Sequence, residues 1–270
     1  MEADMASRLG RGSIQGIVAA LAFGLIALLA SGCGSSNGGT SASASSTSPA
    51  GSAPSLAPIA KPYKPKVDPA NFVGTIDNKY WPLKPGTTFH YKGVKGTQHQ
   101  IDNETVTHQT KQILGVPSTV VRDTVLAHGI PIERTFDWYA QDKYGNVWYM
   151  GENSLERKHG RLARASDSWE AGVNGGKPGI IMPGNPQPGD AYRQEYYPPG
   201  QALDEARVLS LDGRTSVPAG HFTGVLVTSE RSPLEPQTEQ KYYAPGTGDV
   251  KEKVVKGHHE VFELVSVTHQ

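Results

Sequence analysis

The residues able to do nucleophilic or metal chemistry are few in this chain. It has one cysteine, Cys33, so neither an intrachain disulfide nor a multi-cysteine metal cage can form. The G-x-S-x-G pattern of a nucleophile elbow occurs at residues 34–38, in a stretch with no strand before it and no helix after it. None of the nine histidines has ligand-like spacing. We therefore predict no catalytic residue set, no metal site and no cofactor.

Carboxylates are the groups left for acid–base chemistry. Asp137 with Asp142, or Asp190 with Glu195, could face one cleft once the chain is folded. The sequence does not set the separation between two carboxyl groups that hydrolysis requires. A carboxylate-dependent hydrolase is therefore one alternative function, although the sequence favours a protein that is not an enzyme.

Aromatic residues offer a different kind of site, one for binding. Six of them lie between residues 136 and 149, where they form either a stacking platform for a ligand or the core of a hairpin. A Gly- and Pro-rich segment over residues 166–187 adds a tryptophan and an apolar cluster, and loops of this length are usually functional or disordered. The predicted ligand-binding residues are Trp138, Trp148, Trp169, Ile180 and Met182.

The first 32 residues have the layout of a secretory signal, with Arg8 and Arg11 before an apolar run over residues 14–30. Small residues then lead to Cys33, and the stretch resembles a bacterial lipobox in which Ala30 replaces the more frequent leucine. The resemblance implies that Cys33 becomes the first residue and carries acyl chains such as palmitate. Several chains anchor a protein stably, so we predict an extracytoplasmic protein that is held at the bacterial cell membrane.

Residues 33–68 are predicted to be a disordered tether. They are rich in Ser, Gly and Pro, and such a composition cannot bury enough apolar surface to offset its ordering entropy. The chain carries 26 basic and 26 acidic residues, and this balance argues against a nucleic-acid partner.

The remaining residues are predicted to fold as mainly antiparallel β structure. Short runs with two-residue alternation, such as 119–126, 224–230 and 261–267, indicate strands, and no window sustains a long helical stripe. Four short motifs recur in the same order at offsets of 101 to 104 residues, among them Pro85-Gly86 with Pro188-Gly189. We expect two tandem modules of about 100 residues, over 69–187 and 188–270, packed as one curved sheet or as a sandwich.

Two strings in the second half carry a resemblance. Val-Pro-Ala-Gly-His-Phe at residues 217–222 and Tyr-Tyr-Ala-Pro-Gly-Thr-Gly-Asp-Val at residues 242–250 resemble a pattern in the TapB-like group of secreted bacterial β proteins. Thr247 stands where that pattern has an apolar residue. The resemblance implies an extended antiparallel sheet in an envelope protein, and it implies no catalytic residues.

These observations predict a lipid-anchored envelope protein that binds an apolar or glycan ligand in a cleft between the two modules. The alternative is a structural or protein-interaction lipoprotein that works through its strand edges. The expected partners are the membrane, through the lipid anchor, and a small ligand.

Overall fold

The computed structural model describes residues 57–59 and 62–270 and has the mainly β fold predicted from the sequence, with 65% of the described residues in strands. The predicted signal peptide, Cys33 and most of the predicted tether lie outside the described residues. Within the described part, no helix is long and apolar enough to cross a membrane.

The described chain contains 18 strands and two short 3-10 helices, Pro69–Asn71 and Pro198–Gly200. The strands are β1 (Phe72–Val73), β2 (Asp77–Asn78), β3 (Trp81–Pro82), β4 (Thr87–Lys95), β5 (Gln98–Ile113), β6 (Val116–Ala127), β7 (Ile130–Asp142), β8 (Val147–Lys158), β9 (Arg161–Arg164), β10 (Trp169–Glu170), β11 (Lys177–Met182), β12 (Ala191–Arg193), β13 (Glu195–Tyr196), β14 (Glu205–Val217), β15 (Gly220–Arg231), β16 (Thr238–Ala244), β17 (Gly248–Lys256) and β18 (Glu260–His269).

Most of these strands belong to one antiparallel sheet, which is curved and nearly closed. Its order is β12-β14-β15-β16-β17-β18-β4-β5-β6-β7-β8-β11-β13, with β1, β9 and β10 paired to its β7 and β8 strands. Strands β2 and β3 form a separate small sheet. Of the two packings expected from the sequence, the curved sheet is therefore the one observed.

The two halves of the chain enter this sheet in the same way. Strands β4 to β8 form one meander, and β12 with β14 to β17 forms another in the same order. Each meander begins at a Pro-Gly turn in which the glycine has positive φ, 87° at Gly86 and 96° at Gly189. The two turns donate equivalent hydrogen bonds of 2.8 Å, from Gly86 N to Val106 O and from Gly189 N to Val208 O. The module boundary at residues 187 and 188 stays a prediction.

The sheet closes through one short piece of chain. Strands β12 and β13 stand at opposite ends of the strand order, yet only Gln194 separates them in sequence. β12 pairs with β14, whereas β13 pairs with β11 through the partners Lys177–Tyr196 and Pro178–Glu195. A single extended segment therefore joins the two ends of the sheet, at a place that we call the seam.

The segment before the first strand crosses the seam. Arg193 N of β12 donates to Ala57 O at 2.8 Å. On the other side of the seam, Tyr63 Oη donates to Pro178 O at 2.7 Å and Lys177 Nζ donates to Tyr63 O at 2.7 Å. Ala57 and Tyr63 are buried, so the end of the predicted tether packs as part of the folded unit instead of being disordered.

An aromatic cluster fills one end of the interior. Tyr139 stacks on Tyr149 with ring centroids 4.9 Å apart, and Trp169 meets Tyr149 edge-on at 5.5 Å. Trp81 of the small sheet contacts both Tyr139 and Tyr243, at 5.9 and 5.6 Å. Because Tyr139 and Tyr243 come from different halves of the chain, Trp81 packs the two meanders together.

The close approach of two strands at the seam yields a stability prediction. A Cβ atom added to Gly179 would lie 2.1 Å from Gln194 O, whereas one added to Gly74 would meet nothing within 4 Å. Gly179→Ala should therefore destabilise the protein by about 1–3 kcal/mol, because the backbone at the seam must move apart. Urea unfolding followed by circular dichroism measures this. Gly74→Ala is the matched control, and equal midpoints for the two variants would contradict a tightly closed seam.

Candidate functional site

The inner face of the curved sheet is lined with buried carboxyl groups. On β5 the buried residues Gln100, Asp102 and Glu104 alternate with more exposed ones. Asp123 is buried on the neighbouring strand β6, where it pairs with Thr135 of β7. Strand alternation places such residues on one face, so adjacent strands stack their acidic side chains inside the sheet.

The same face continues with further buried acids on β7, β8, β13, the loop before β14, β15 and β17. They are Glu133, Asp137, Glu152, Glu195, Asp204, Glu230, Asp249 and Glu252.

Lys241 provides a buried positive charge inside this acidic face. Its Nζ lies 3.1 Å from Glu252 Oε1 and 3.7 Å from Glu230 Oε2, and its side chain is buried. Burial alone would lower the pKa of Lys241, but the carboxylates of Glu252, Glu230 and Glu239 outweigh it and raise that pKa well above its usual value. Lys241 therefore stays charged and holds strands β15, β16 and β17 together electrostatically.

Several of the inner acids are also satisfied by hydrogen bonds. Tyr149 Oη lies 2.6 Å from Asp137 Oδ1 and 2.9 Å from Glu152 Oε2, which joins β7 and β8. Tyr243 Oη donates to Glu230 at 2.7 Å, and Gln194 Nε2 at the seam donates to the other oxygen of Glu230 at 3.0 Å. Hydrogen bonds of this kind are what allow polar groups to be buried at moderate cost.

Other acids lack such partners. Asp102 and Asp123 hydrogen-bond to each other through a shared proton, but no donor from another described residue reaches either carboxyl group, and Asp204 Oδ1 is also buried without a donor. An oxygen atom from each of Asp102, Glu104 and Asp123 lies within 4.8 Å of the others. These three carboxyl groups are the residues in the described chain that could hold a metal ion.

A pocket opens at the seam, where Asp204 and Glu195 face strands β15 and β16. Its volume is about 30 Å³, which is room for a few atoms, since a water needs about 10–15 Å³ on the same measure. Five carboxyl groups and two basic groups reach it. The lining residues are Ile181, Gln194, Glu195, Asp204, Glu230, Arg231, Ser232, Glu235, Gln237, Glu239 and Lys241.

The five residues predicted to bind a ligand are all buried in the core. Three of them are tryptophans that already have polar partners: Lys111 Nζ lies 3.4 Å from the ring centre of Trp138, Trp148 Nε1 donates to Asp142 at 2.9 Å, and Trp169 Nε1 donates to Glu195 at 3.2 Å. The other two are Ile180 and Met182 of β11. Ligand binding at these residues stays a prediction, and the structure presents none of their side chains openly to solvent.

The candidate acid pairs are engaged separately. Asp137 bonds to Tyr149 on the inner face, whereas Asp142 accepts from the backbone N–H groups of Tyr144 and Asn146 in the β7–β8 turn. Asp190 likewise accepts from Gln187 N in an exposed turn. In this structure Asp142 and Asp190 thus have local structural roles.

Apart from Asp137 and Glu195, the inner acids were missed at the level of sequence. Asp102 and Glu104, or Glu133 and Asp137, repeat at even spacing on strands, and this pattern is typical of a solvent-facing strand surface. The signal that could have revealed them is that apolar residues such as Val106 and Val125 share the same face. A strand face that carries both acids and valines is as compatible with burial inside the sheet as with exposure to solvent.

Titration of the inner acids should make the protein more stable in mild acid. Burial raises the pKa of Glu133, Asp137, Glu239 and Asp249 to about 7. The unfolded chain binds fewer protons at these groups above about pH 4, so the stability they contribute is present at low pH and is lost as the pH rises through 7. The melting temperature, measured in buffer with a chelator, should fall between pH 5 and pH 8.

Asp137→Asn should reduce the pH dependence of the free energy of unfolding by up to about 1.4 kcal/mol per pH unit, because one titrating group is removed. The melting temperature of this variant should therefore fall less between pH 5 and pH 8. The matched control is Asp212→Asn, which changes an exposed carboxylate on β14. A melting temperature that rises from pH 5 to pH 8 would show that the inner acids are ionised in the folded protein.

Comparison with known proteins adds little to this picture. No family model and no curated protein matches the chain. A protein of Bacteroides fragilis NCTC 9343, inferred to be exported and to have a YMCC-like fold, superposes with a TM-score of 0.42 at 13% identity, over 71% of this chain and 99% of that one. An inferred lipoprotein of Parabacteroides distasonis ATCC 8503 gives 0.39 at 11% identity over the same shares. Likeness this weak supports no conclusion about function, and the resemblance to the TapB-like group stays a prediction.

Proposed function

We propose that this chain is a lipid-anchored protein of the bacterial cell envelope that binds an amine-bearing glycan at the seam pocket. The observation that carries the binding part is the buried Oδ1 of Asp204, a residue of the pocket wall, because this oxygen has no hydrogen-bond partner. A buried acceptor without a donor is costly, and a ligand that donates a hydrogen bond there removes the cost.

The charges around the pocket favour a cationic group. Arg231 and Lys241 both have carboxylate partners, Glu205 at 3.6 Å for Arg231 and Glu252 at 3.1 Å for Lys241. Asp204, Glu195 and Glu239 remain on the pocket wall, and burial raises the pKa of each, so a protonated amine would bind as one of these carboxyl groups loses its proton. A protonated amine offers three donors, and a charge-assisted hydrogen bond to a carboxylate is about twice as strong as a neutral one.

The size of the pocket decides which part of the ligand enters. A volume of about 30 Å³ takes one ammonium group, so the body of the ligand would lie across the mouth of the pocket. Ten of the eleven lining residues have polar or charged side chains, and Ile181 is the apolar one. An amino sugar meets both requirements, because its ammonium fits the pocket and its hydroxyl groups can bond to the polar rim.

Binding of a glucosamine trimer tests this function. The full chain, purified in detergent, should bind the trimer in isothermal titration calorimetry at pH 7. The N-acetylated trimer, which has the same sugar rings but no charge, should bind at least about tenfold more weakly, because it loses a charge-assisted hydrogen bond. Spermidine, an amine without a sugar, shows whether the sugar body contributes.

Two variants locate the binding. Asp204→Asn and Glu239→Gln should each weaken binding of the glucosamine trimer by about tenfold, whereas Asp212→Asn on the exposed part of β14 should leave it unchanged. Circular dichroism checks that each variant is folded. Equal affinity for the two trimers, or no binding of either, would overturn the proposed ligand.

The anchor is tested at Cys33. In bacteria fed a clickable fatty acid, the wild-type chain should become labelled, because its lone thiol is the site of lipid attachment. Cys33→Ser should stay unlabelled and keep the mass of the uncleaved precursor, while Ser35→Ala should behave like the wild type. Label on the Cys33→Ser variant, or an unlabelled wild type, would contradict lipid anchoring.

A further inference from the structure

Three inner carboxyl groups meet between strands β5 and β6. Asp102 and Glu104 lie on the buried face of β5, and Asp123 lies on the buried face of β6. One oxygen from each lies within 4.8 Å of the other two, and the three residues are between 0% and 6% exposed. None of the three lines the seam pocket. We call them the carboxylate triad.

The triad lacks the donors that buried carboxylates normally have. Among the described residues, Asp102 and Asp123 hydrogen-bond to each other through a shared proton, and no other residue donates to either carboxyl group. Asp137 and Glu230, on the same inner face, each accept hydrogen bonds from tyrosines. The absence of a tyrosine donor therefore distinguishes Asp102 and Asp123 from Asp137 and Glu230.

A further oxygen on the same face has no hydrogen-bond donor. Gln100 precedes Asp102 by two residues, so its side chain lies on the same face of β5, and its Oε1 is buried without a donor. Its Nε2 is engaged, since it donates to Gln98 at 2.8 Å. The amide thus leaves its oxygen, a neutral cation ligand, without a donor on the strand face that carries Asp102 and Glu104.

From this arrangement we propose that Asp102, Glu104 and Asp123 bind a calcium ion inside the sheet. Buried carboxylates without donors are unfavourable, and a cation that all three contact removes the repulsion between them. The donors are all oxygens, which suits a hard cation, and carboxylates can bind Ca²⁺ through one or both oxygens. Mg²⁺ gives up its water reluctantly and fits a buried site of this kind less well.

Calcium binding is measured on the full chain after removal of metals with a chelator. Titration with CaCl₂ should show one saturable site, with a dissociation constant in the range of about 10⁻⁴–10⁻³ M that extracellular calcium modules have. Terbium gives an independent readout, because Tyr91 lies directly opposite Asp102 on β4 and its excitation can sensitise a bound lanthanide. Calcium should displace terbium and quench this emission.

Variants decide whether the triad is the site. Asp123→Asn should lose at least about tenfold in calcium affinity and in terbium emission. Its melting temperature without metal should be unchanged or higher, because burial raises the pKa of Asp123 well above its usual value and the amide removes the cost of ionising it. Asp212→Asn is the control for an exposed carboxylate, and Glu239→Gln tests the seam pocket separately.

Four results would overturn the proposal: no saturable binding up to about 10 mM CaCl₂, a concentration above the range for extracellular modules; binding retained in Asp123→Asn; binding lost only in Glu239→Gln; or Mg²⁺ binding more tightly than Ca²⁺. The glucosamine trimer does not enter this experiment. The calcium site and the proposed function can therefore fail independently.

Discussion

Gln194 separates two short strands that pair with opposite ends of one sheet. This connection closes the sheet, and much of its inner face is thereby turned away from water. Every polar group on that face must then find a partner inside the protein. The tyrosines that bond to Asp137 and Glu230, and the ion pairs of Lys241, are responses to this constraint. Closure of the sheet thus dictates much of the interior chemistry.

Buried acceptors without a donor remain where the sheet closes over them but the neighbouring strands supply no hydrogen-bond donor. Asp204 stands next to the seam, where the β-ladder is interrupted, and the carboxylate triad lies between strands that supply no donor to Asp102 or Asp123 beyond the proton these two share. Both proposed binding sites arise from the same physical cause, a buried acceptor without a donor. They differ in access, since the seam pocket opens outward and the triad is enclosed by the sheet.

Repetition of one structural plan explains how a chain of this length builds such a sheet. Each meander begins at a Pro-Gly turn with the same backbone hydrogen bond, and strands of one half continue directly into those of the other at β18 and β4. The aromatic cluster around Trp81 then holds the two meanders at one end. The predicted ligand-binding tryptophans are buried because their rings pack as part of the core between the strands.

Local patterns in the sequence determined the β class, the recurring turns and the strands around residues 119–126 and 224–230, because alternation and turn chemistry act over a few residues. They did not determine which face of each strand is inside. A strand such as β5 carries acids and valines on one face, and only the partners brought by closure decide whether water reaches it. Asp102 and Asp123 are 21 residues apart in sequence, and Asp204 reaches Lys241 across the seam pocket. Such proximities depend on register and curvature, so only the tertiary structure decided them.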